Sequence, residues 1–534
     1  MWRKPALSIS ILCLVMFAGG GNPLAGPPDA AARPAALGTE TFDNVHFINV
    51  NNILMFVTNH GSFGRDLAGY FGNDYGTYYP YYSTDAIEMG TQTLSPLYAG
   101  GLWVGGRVGL DVRVTMTEYE SEYTPGPMSE GTYQPDCPEF KVYKLYSDSA
   151  SDNPNSDWVT WPADQGAPVD GYGAPAISGD QTLWAVYNDA DPTRHDNYGS
   201  GAEPLGIEVH QRFWGYDRVS GAFSRVIIAD FKIYNRGGNR IDDCYIGIWL
   251  DPDIGFREDD MGGCDPDDDL FYAYNADYSD NDYGTTPPAF GAKILRGPLI
   301  PSAGDSAVFD GHKVMDYRNL GLESYSCYMN GMDPDNDLQA YNVIQGLDIS
   351  GNPSFNGSPY FYNGDPVTGS GDLDYFADDK KMVGGMGPFT FAAGDSQYVA
   401  IALIAGQGSS YLSSITALRQ TAAFLTMDFP TAVEDGDETA LPSRFTLRQN
   451  YPNPFNPGTD IAYELNARGA VEIDIFNVLG QNVRQLLRST KPAGEYRVYW
   501  DGCDDSGREL PSGVYFYRAT VDGESQARKM ILMK

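Results

Sequence analysis

The sequence is poor in positive charge. Its 534 residues carry 35 Lys and Arg against 71 Asp and Glu, a formal charge of −36. That leaves no basic surface to displace counterions from nucleic acid or to adsorb to anionic lipid. Long apolar runs are scarce too. Ala6–Ala18 and Val399–Ala405 are the longest, too short for a set of bilayer-spanning helices. There are six cysteines and no CxxC, so neither a zinc ribbon nor a thioredoxin-type redox site is supported. The five histidines, His46, His60, His195, His210 and His312, form no HExxH, and no GxSxG elbow occurs.

What is abundant is Gly (61), Pro (35) and Tyr (37), with aromatics at 13%. Gly and Pro punctuate strands and Tyr suits half-buried pleated faces, so the composition predicts a turn-rich, all-β chain. Arg3 and Lys4 ahead of Ala6–Ala18, then small residues to Gly26, predict a secretory signal over 1–26. The expected product is secreted or held at the outer cell surface by way of the periplasm. Residues 27–44 read as a Pro/Ala-rich linker. Residues 45–430 read as an acidic β-rich body of two or more subdomains, and 431–442 as a second linker. Beyond it, residues 443–534 hold 12 basic and 11 acidic residues, so the acidity belongs to the body.

Within the body, Phe140–Tyr146, Val226–Tyr234 and Tyr245–Leu250 have the period and composition of strands. One stretch departs: Leu412, Ile415, Leu418, Ala422 and Leu425 fall at helical spacing behind Ser409 and Ser410. This predicts one amphipathic helix near the end of the body, capped by a serine. In residues 443–534, alternation in Ile461/Tyr463/Leu465, Val471/Ile473/Ile475 and Tyr496/Val498/Trp500 predicts a seven-stranded, immunoglobulin-like β-sandwich.

These last residues resemble the type A C-terminal sorting domain of the type IX secretion system. The matching text is Asn450-Tyr-Pro-Asn-Pro-Phe-Asn-Pro457, Val471-Glu-Ile-Asp-Ile-Phe-Asn-Val-Leu-Gly-Gln481, Trp500-Asp-Gly, Ser512-Gly-Val-Tyr-Phe-Tyr-Arg518 and the basic end Arg528-Lys-Met-Ile-Leu-Met-Lys534. The resemblance implies that the type IX machinery is a partner, that the domain directs passage across the outer membrane, and that it is then removed. Gly206-Ile-Glu-Val-His-Gln211, Trp249-Leu-Asp-Pro-Asp-Ile-Gly255, Gly364-Asp-Pro-Val-Thr-Gly369 and Gly387–Ser396 resemble large uncharacterised exported proteins that carry this domain. Gly394-Asp-Ser396 resembles the GDS start of one esterase class, yet no histidine follows His312, and a turn is expected there.

The strongest local signal is acidic. Between Asp251 and Asp282, 12 carboxylates face a single basic residue, Arg257. Asp265-Pro-Asp267-Asp-Asp269 sets carboxylates at alternate positions, and Asp333-Pro-Asp335-Asn-Asp337 repeats the pattern. Hard oxygen donors so spaced suit Ca²⁺, although neither copy has the Gly and Glu of an EF-hand. The expected ligands are Asp251, Asp253, Asp265, Asp267 and Asp269, with Asp333, Asp335 and Asp337 as a second site. Removing Cys13 with the signal and Cys503 with the C-terminal domain leaves four cysteines and three pairings, among which Cys244–Cys264 is favoured. Tyr70, Tyr78, Tyr79, Tyr81 and Tyr82 offer either sheet packing or a sugar-stacking platform. The expectation is an exported, calcium-stabilised, non-enzymatic structural or adhesion protein with a surface glycan or matrix partner. The alternatives are a glycan-binding module and a secreted carbohydrate-active or other hydrolytic enzyme.

Overall fold

A computed structural model of the chain describes residues 44–68, 76–84, 94–128, 137–147, 156–195, 203–425 (without 219 and 355) and, with short breaks, 445–532. The signal segment with Cys13, both linkers except Asn44, and Tyr70 lie outside the described residues.

Alternation assigns two buried faces to the long strand Ile241–Asp251. Ile246, Ile248 and Leu250 join the main core, while Trp249 belongs to a second cluster on the opposite side of the sheet. Successive side chains of a strand point to opposite faces, so the pattern requires cover on both. The strand sits inside an eight-stranded antiparallel sheet. The order is Val45–Ile48, Met55–Thr58, Ser62–Gly64, Ala99–Val108, Ile241–Asp251, Lys380–Phe391, Ser324–Met329, and Asp111–Thr115 pairs on Ala99–Val108. Helix α1 (Asp337–Ile344) covers its outer face, packing Ala340, Tyr341, Val343 and Ile344 over Trp103, Trp249 and Val383.

The second sheet has nine strands. From one edge they run Asp260–Asp265, Leu270–Asn275, Ala289–Arg296, Ser396–Gly406, Val226–Asn235, Ile207–Gly215, Gln181–Asn188 and Thr124–Pro125, with Tyr143–Tyr146 also on Gln181–Asn188. Its inner face supplies Val209, Phe213, Ile227, Phe231, Phe271, Phe290, Ile401 and Leu403 to the core shared with the first sheet. Its outer face (Trp214, Val226, Ile228, Tyr272, Ile404) is covered by helix α2 (Tyr411–Leu425) through Ile415, Leu418, Ala422 and Leu425. Ser410 caps α2, its hydroxyl accepting from the Ser413 N–H at 3.3 Å. The body is thus layered helix, sheet, sheet, helix. Cover on both faces explains why its central strands are apolar almost throughout.

Most of the body, apart from Val169–Ala174, falls in one compact unit around one main core. Among the described residues it holds, besides the amphipathic helix α2, a second helix, α1, which lay hidden in the acidic text. Asn336 caps α1, accepting from the Gln339 N–H at 3.1 Å, and Asp337 opens its first turn.

The C-terminal unit is a seven-stranded sandwich. Phe445–Leu447, Thr459–Leu465 and Gly494–Trp500 form one sheet; Asn482–Lys491, Gly469–Asn477, Gly513–Val521 and Glu524–Leu532 form the other. Trp500, Phe455, Ile461, Ile473, Tyr517 and Met530 close its core.

Candidate functional site

Ile241–Asp251 leaves its sheet at Asp251, opposite Ala99, and the chain turns through Asp253. Gly255, at φ +72°, makes the turn possible and donates to the Asp253 carbonyl at 2.9 Å. The neighbouring strand begins at Lys380, so Asp379 stands beside the same sheet end. Asp251, Asp253 and Asp379 converge there, each offering a carboxylate oxygen within 4.8 Å of the others.

Asp251 is buried. Its Oδ2 accepts from the Tyr119 hydroxyl at 2.8 Å, while Oδ1 has no hydrogen-bond partner among the described residues. Asp379 accepts from the Asn330 amide at 3.1 Å and lies 3.7 Å from the Arg257 guanidinium. Lys381 faces the group, pairs with Asp333 at 3.1 Å and donates to the side-chain Oδ1 of Asn330 at 3.3 Å. Burial and then the charge of Asp253 push the Asp251 carboxyl well up. Burial and then Asp379 push Asp253 up to about 7. Such mutual repulsion among buried carboxylates is what a cation would relieve.

The other expected ligands have other partners. Asp265 is held by Arg419 of α2 through two hydrogen bonds, 2.6 and 2.7 Å. Asp269 adopts a left-handed conformation, and its Oδ1 accepts from the Leu322 N–H at 2.7 Å. The carboxylate of Asp337 accepts from Val114 N–H at 2.9 Å. Asp267 and Asp335 do not join a group of three carboxylates among the described residues. Asp333 lies outside the trio, pairing with Lys381 at 3.1 Å and adding its charge to the surroundings of Asp379. Asp379, which completes that trio, was missed because it lies far from Asp251 in sequence; the Asp378-Asp379 pair ahead of an apolar strand was the available signal.

The Cys244–Cys264 pairing is not formed: all five described cysteines are free thiols. The reason is placement in different sheets. Cys244 lies opposite Phe389 in the first, while Cys264 lies opposite Phe271 in the second, its thiol on the Phe361 carbonyl at 3.4 Å. Of the described members of the tyrosine run, Tyr78 and Tyr79 are buried packing and Tyr82 alone is largely exposed, at 70%. Large exposed aromatics gather instead in sequence around the acidic trio: Phe256, Tyr375 and Phe376, the last two more than two thirds exposed. Phe256 is three residues from Asp253, and Phe376 three from Asp379, so each backbone is within about 10 Å of the carboxylate-bearing one.

A separate buried group holds Glu122, Asp189 and His195. His195 Nε2 lies 2.9 Å from the Asp189 carbonyl, and Nδ1 lies 3.7 Å from Glu122. Burial pushes the Glu122 carboxyl well up. Asp189 spends its carboxylate on Thr115, Leu205 and Ile207, an arrangement that ties loops together. A cavity of about 170 Å³ beneath α1 is lined mainly by apolar atoms of Cys327, Met329, Val343, Leu347 and Phe361.

Residues 456–525 match the family model of the FlgD Ig-like domain. No curated protein matches the chain. Among solved structures, FlgD from P. aeruginosa is 20% identical over 17% of this chain and 67% of its own, with a TM-score of 0.13. A polysaccharide lyase is 7% identical over 93% of this chain and 47% of its own, at 0.25. Latent PorU from Porphyromonas gingivalis is 10% identical over 92% of this chain and 34% of its own, at 0.17. The chain therefore spans about half the length of the lyase and a third of PorU, and these scores do not amount to a shared fold.

Proposed function

We propose that the chain is exported through the type IX secretion system, with residues 443–534 as its sorting domain. The body then acts at the cell surface or in the medium as a rigid, non-enzymatic structural or adhesion module. The observation that carries this reading is the C-terminal seven-stranded Ig-like sandwich, which has a hydrophobic core of its own. The resemblance of its text to the sorting domain supplies the specific role. No described helix is long and apolar enough to cross a membrane.

The body's construction supports a display role. Two sheets share one core and each carries a helix on its outer face, which is a stiff support for surface loops. A glycan partner is favoured by one observation, the exposed Phe256, Tyr375 and Phe376 beside a convergent acidic group. Aromatic faces stack on sugar rings, and acidic groups accept from their hydroxyls. Deleting residues 443–534 should trap the protein in the periplasm. Unchanged surface delivery of the truncated chain would overturn the sorting role. Robust turnover of a polysaccharide or peptide panel by residues 27–442, abolished by one carboxylate or histidine substitution, would overturn the non-enzymatic role.

A further inference from the structure

We infer that Asp251, Asp253 and Asp379 form a Ca²⁺ site that fastens the end of strand Ile241–Asp251 to the start of strand Lys380–Phe391. The inference is independent of how the chain is exported.

Three observations converge. Two ligands of one Ca²⁺, each at about 2.3–2.6 Å, stand no more than about 5 Å apart, and the three carboxylate oxygens all lie within 4.8 Å of one another. Asp251, 3% exposed, keeps Oδ1 without a hydrogen-bond partner among the described residues. A buried carboxylate oxygen left so is costly unless something positive meets it. Finally, protein cations offset the charge of the three carboxylates only in part. Among the described residues, the ion pair to the trio is Arg257 on Asp379 at 3.7 Å, and the Arg257 side chain is 47% exposed. Lys381 also faces these carboxylates, but its direct contacts are to Asp333 at 3.1 Å and to the Asn330 side-chain oxygen at 3.3 Å.

The donor set selects the ion. All three donors are hard carboxylate oxygens, with neither His nor Cys in the group, which disfavours zinc and copper. Mg²⁺ holds its ligands at about 2.0–2.1 Å in strict octahedral geometry, whereas Ca²⁺ accepts a looser, irregular set and fills the rest with carbonyls and water. The strand ends supply a rigid base. Asp251 is held in register opposite Ala99 and by the Tyr119 hydroxyl, and Asp379 by Asn330.

Terbium, which takes calcium's oxygen ligands, gives a direct readout. Trp249 lies two residues before Asp251, and its ring meets Tyr119 at 5.5 Å, edge to face, so excitation of Trp249 should sensitise a bound Tb³⁺. The experiment uses residues 27–534. Expected results are one saturable Tb³⁺ site displaced by Ca²⁺ and weakly by Mg²⁺, and a melting temperature raised by millimolar Ca²⁺ and lowered by chelator. D253N should abolish the emission and the calcium response yet melt no lower than wild type in chelator, because it removes repulsion as well as a ligand. D379N should do the same, and it decides the matter if D253N does not fold. D267N should leave both responses intact. No sensitised emission together with a melting temperature indifferent to calcium overturns the inference. So does a calcium response that survives both D253N and D379N, or one matched by Mg²⁺.

Discussion

Replacing Arg419 by Met should loosen α2 from the sheet beneath it. Arg419 donates from Nε and Nη2 to the two oxygens of Asp265 at 2.6 and 2.7 Å, from Nη1 to Asp365 at 2.6 Å, and from Nη2 to the Tyr272 hydroxyl at 3.0 Å. One side chain thus joins the helix to a strand end, a strand and the 363–379 segment. Its side chain is 22% exposed, so the cost falls between an exposed pair, about 0–1 kcal/mol, and a broken buried one, about 3–5 kcal/mol. We expect about 2–3 kcal/mol from the urea midpoint of the body transition, followed by tryptophan fluorescence. Met barely alters helix propensity, so the loss reports the clamp. R419K should recover little, because an ammonium cannot span both oxygens of Asp265.

Acid unfolding supplies an independent check. Against partial desolvation, the hydrogen bonds of Arg419 and Thr368 bring the Asp365 carboxyl down to about 2 from its ordinary 3.8. A depressed carboxyl contributes stability that is complete above its unfolded value and is lost as pH falls through the folded one. Wild type should therefore lose this contribution between about pH 4 and 2, and R419M, which keeps the Thr368 and Val367 hydrogen bonds, should show a shallower slope. A midpoint within about 0.5 kcal/mol of wild type, with the acid slope intact, would refute the clamp.

Three further outcomes follow from the packing. A Cβ on Gly385 would lie 2.1 Å from the Ile344 carbonyl oxygen at the end of α1, so G385A should cost about 3 kcal/mol or more and reduce soluble yield. Burial, only partly offset by Asp157, brings the Lys144 ammonium down to about 8 from 10.5. The folded state then binds fewer protons than the unfolded chain between those values, so stability should rise with pH above 8 in wild type relative to K144M; parallel profiles would contradict this. Alkylation of residues 27–534 in denaturant without reductant should label five thiols, and a count of three would reveal a disulfide.

Periodic features were legible in the sequence. The longer C-terminal strands and helix α2 carry a period of two or of 3.6 over enough residues to identify them, whereas Phe445–Leu447, three residues long, does not. Helix α1 was not, because eight residues behind an Asp-rich entry look like a ligand loop until Asn336 is seen as a cap. Of the expected ligands, Asp251 and Asp253 share a turn and meet by local geometry. Asp379 joins them only through the pairing of Leu250 with Met382, a long-range register that no local pattern encodes. Asp265 was drawn away by Arg419, which lies 154 residues distant.

The central claim is that residues 443–534 form a self-contained export signal for the body they follow. Its most direct test attaches them, behind a secretory signal, to an unrelated soluble passenger in a bacterium that carries the type IX system. The passenger should appear at the surface or in the medium with the C-terminal segment removed, and should remain periplasmic when the type IX machinery is inactivated. Retention of the passenger in the periplasm of the intact strain, with the sandwich folded, would contradict the account.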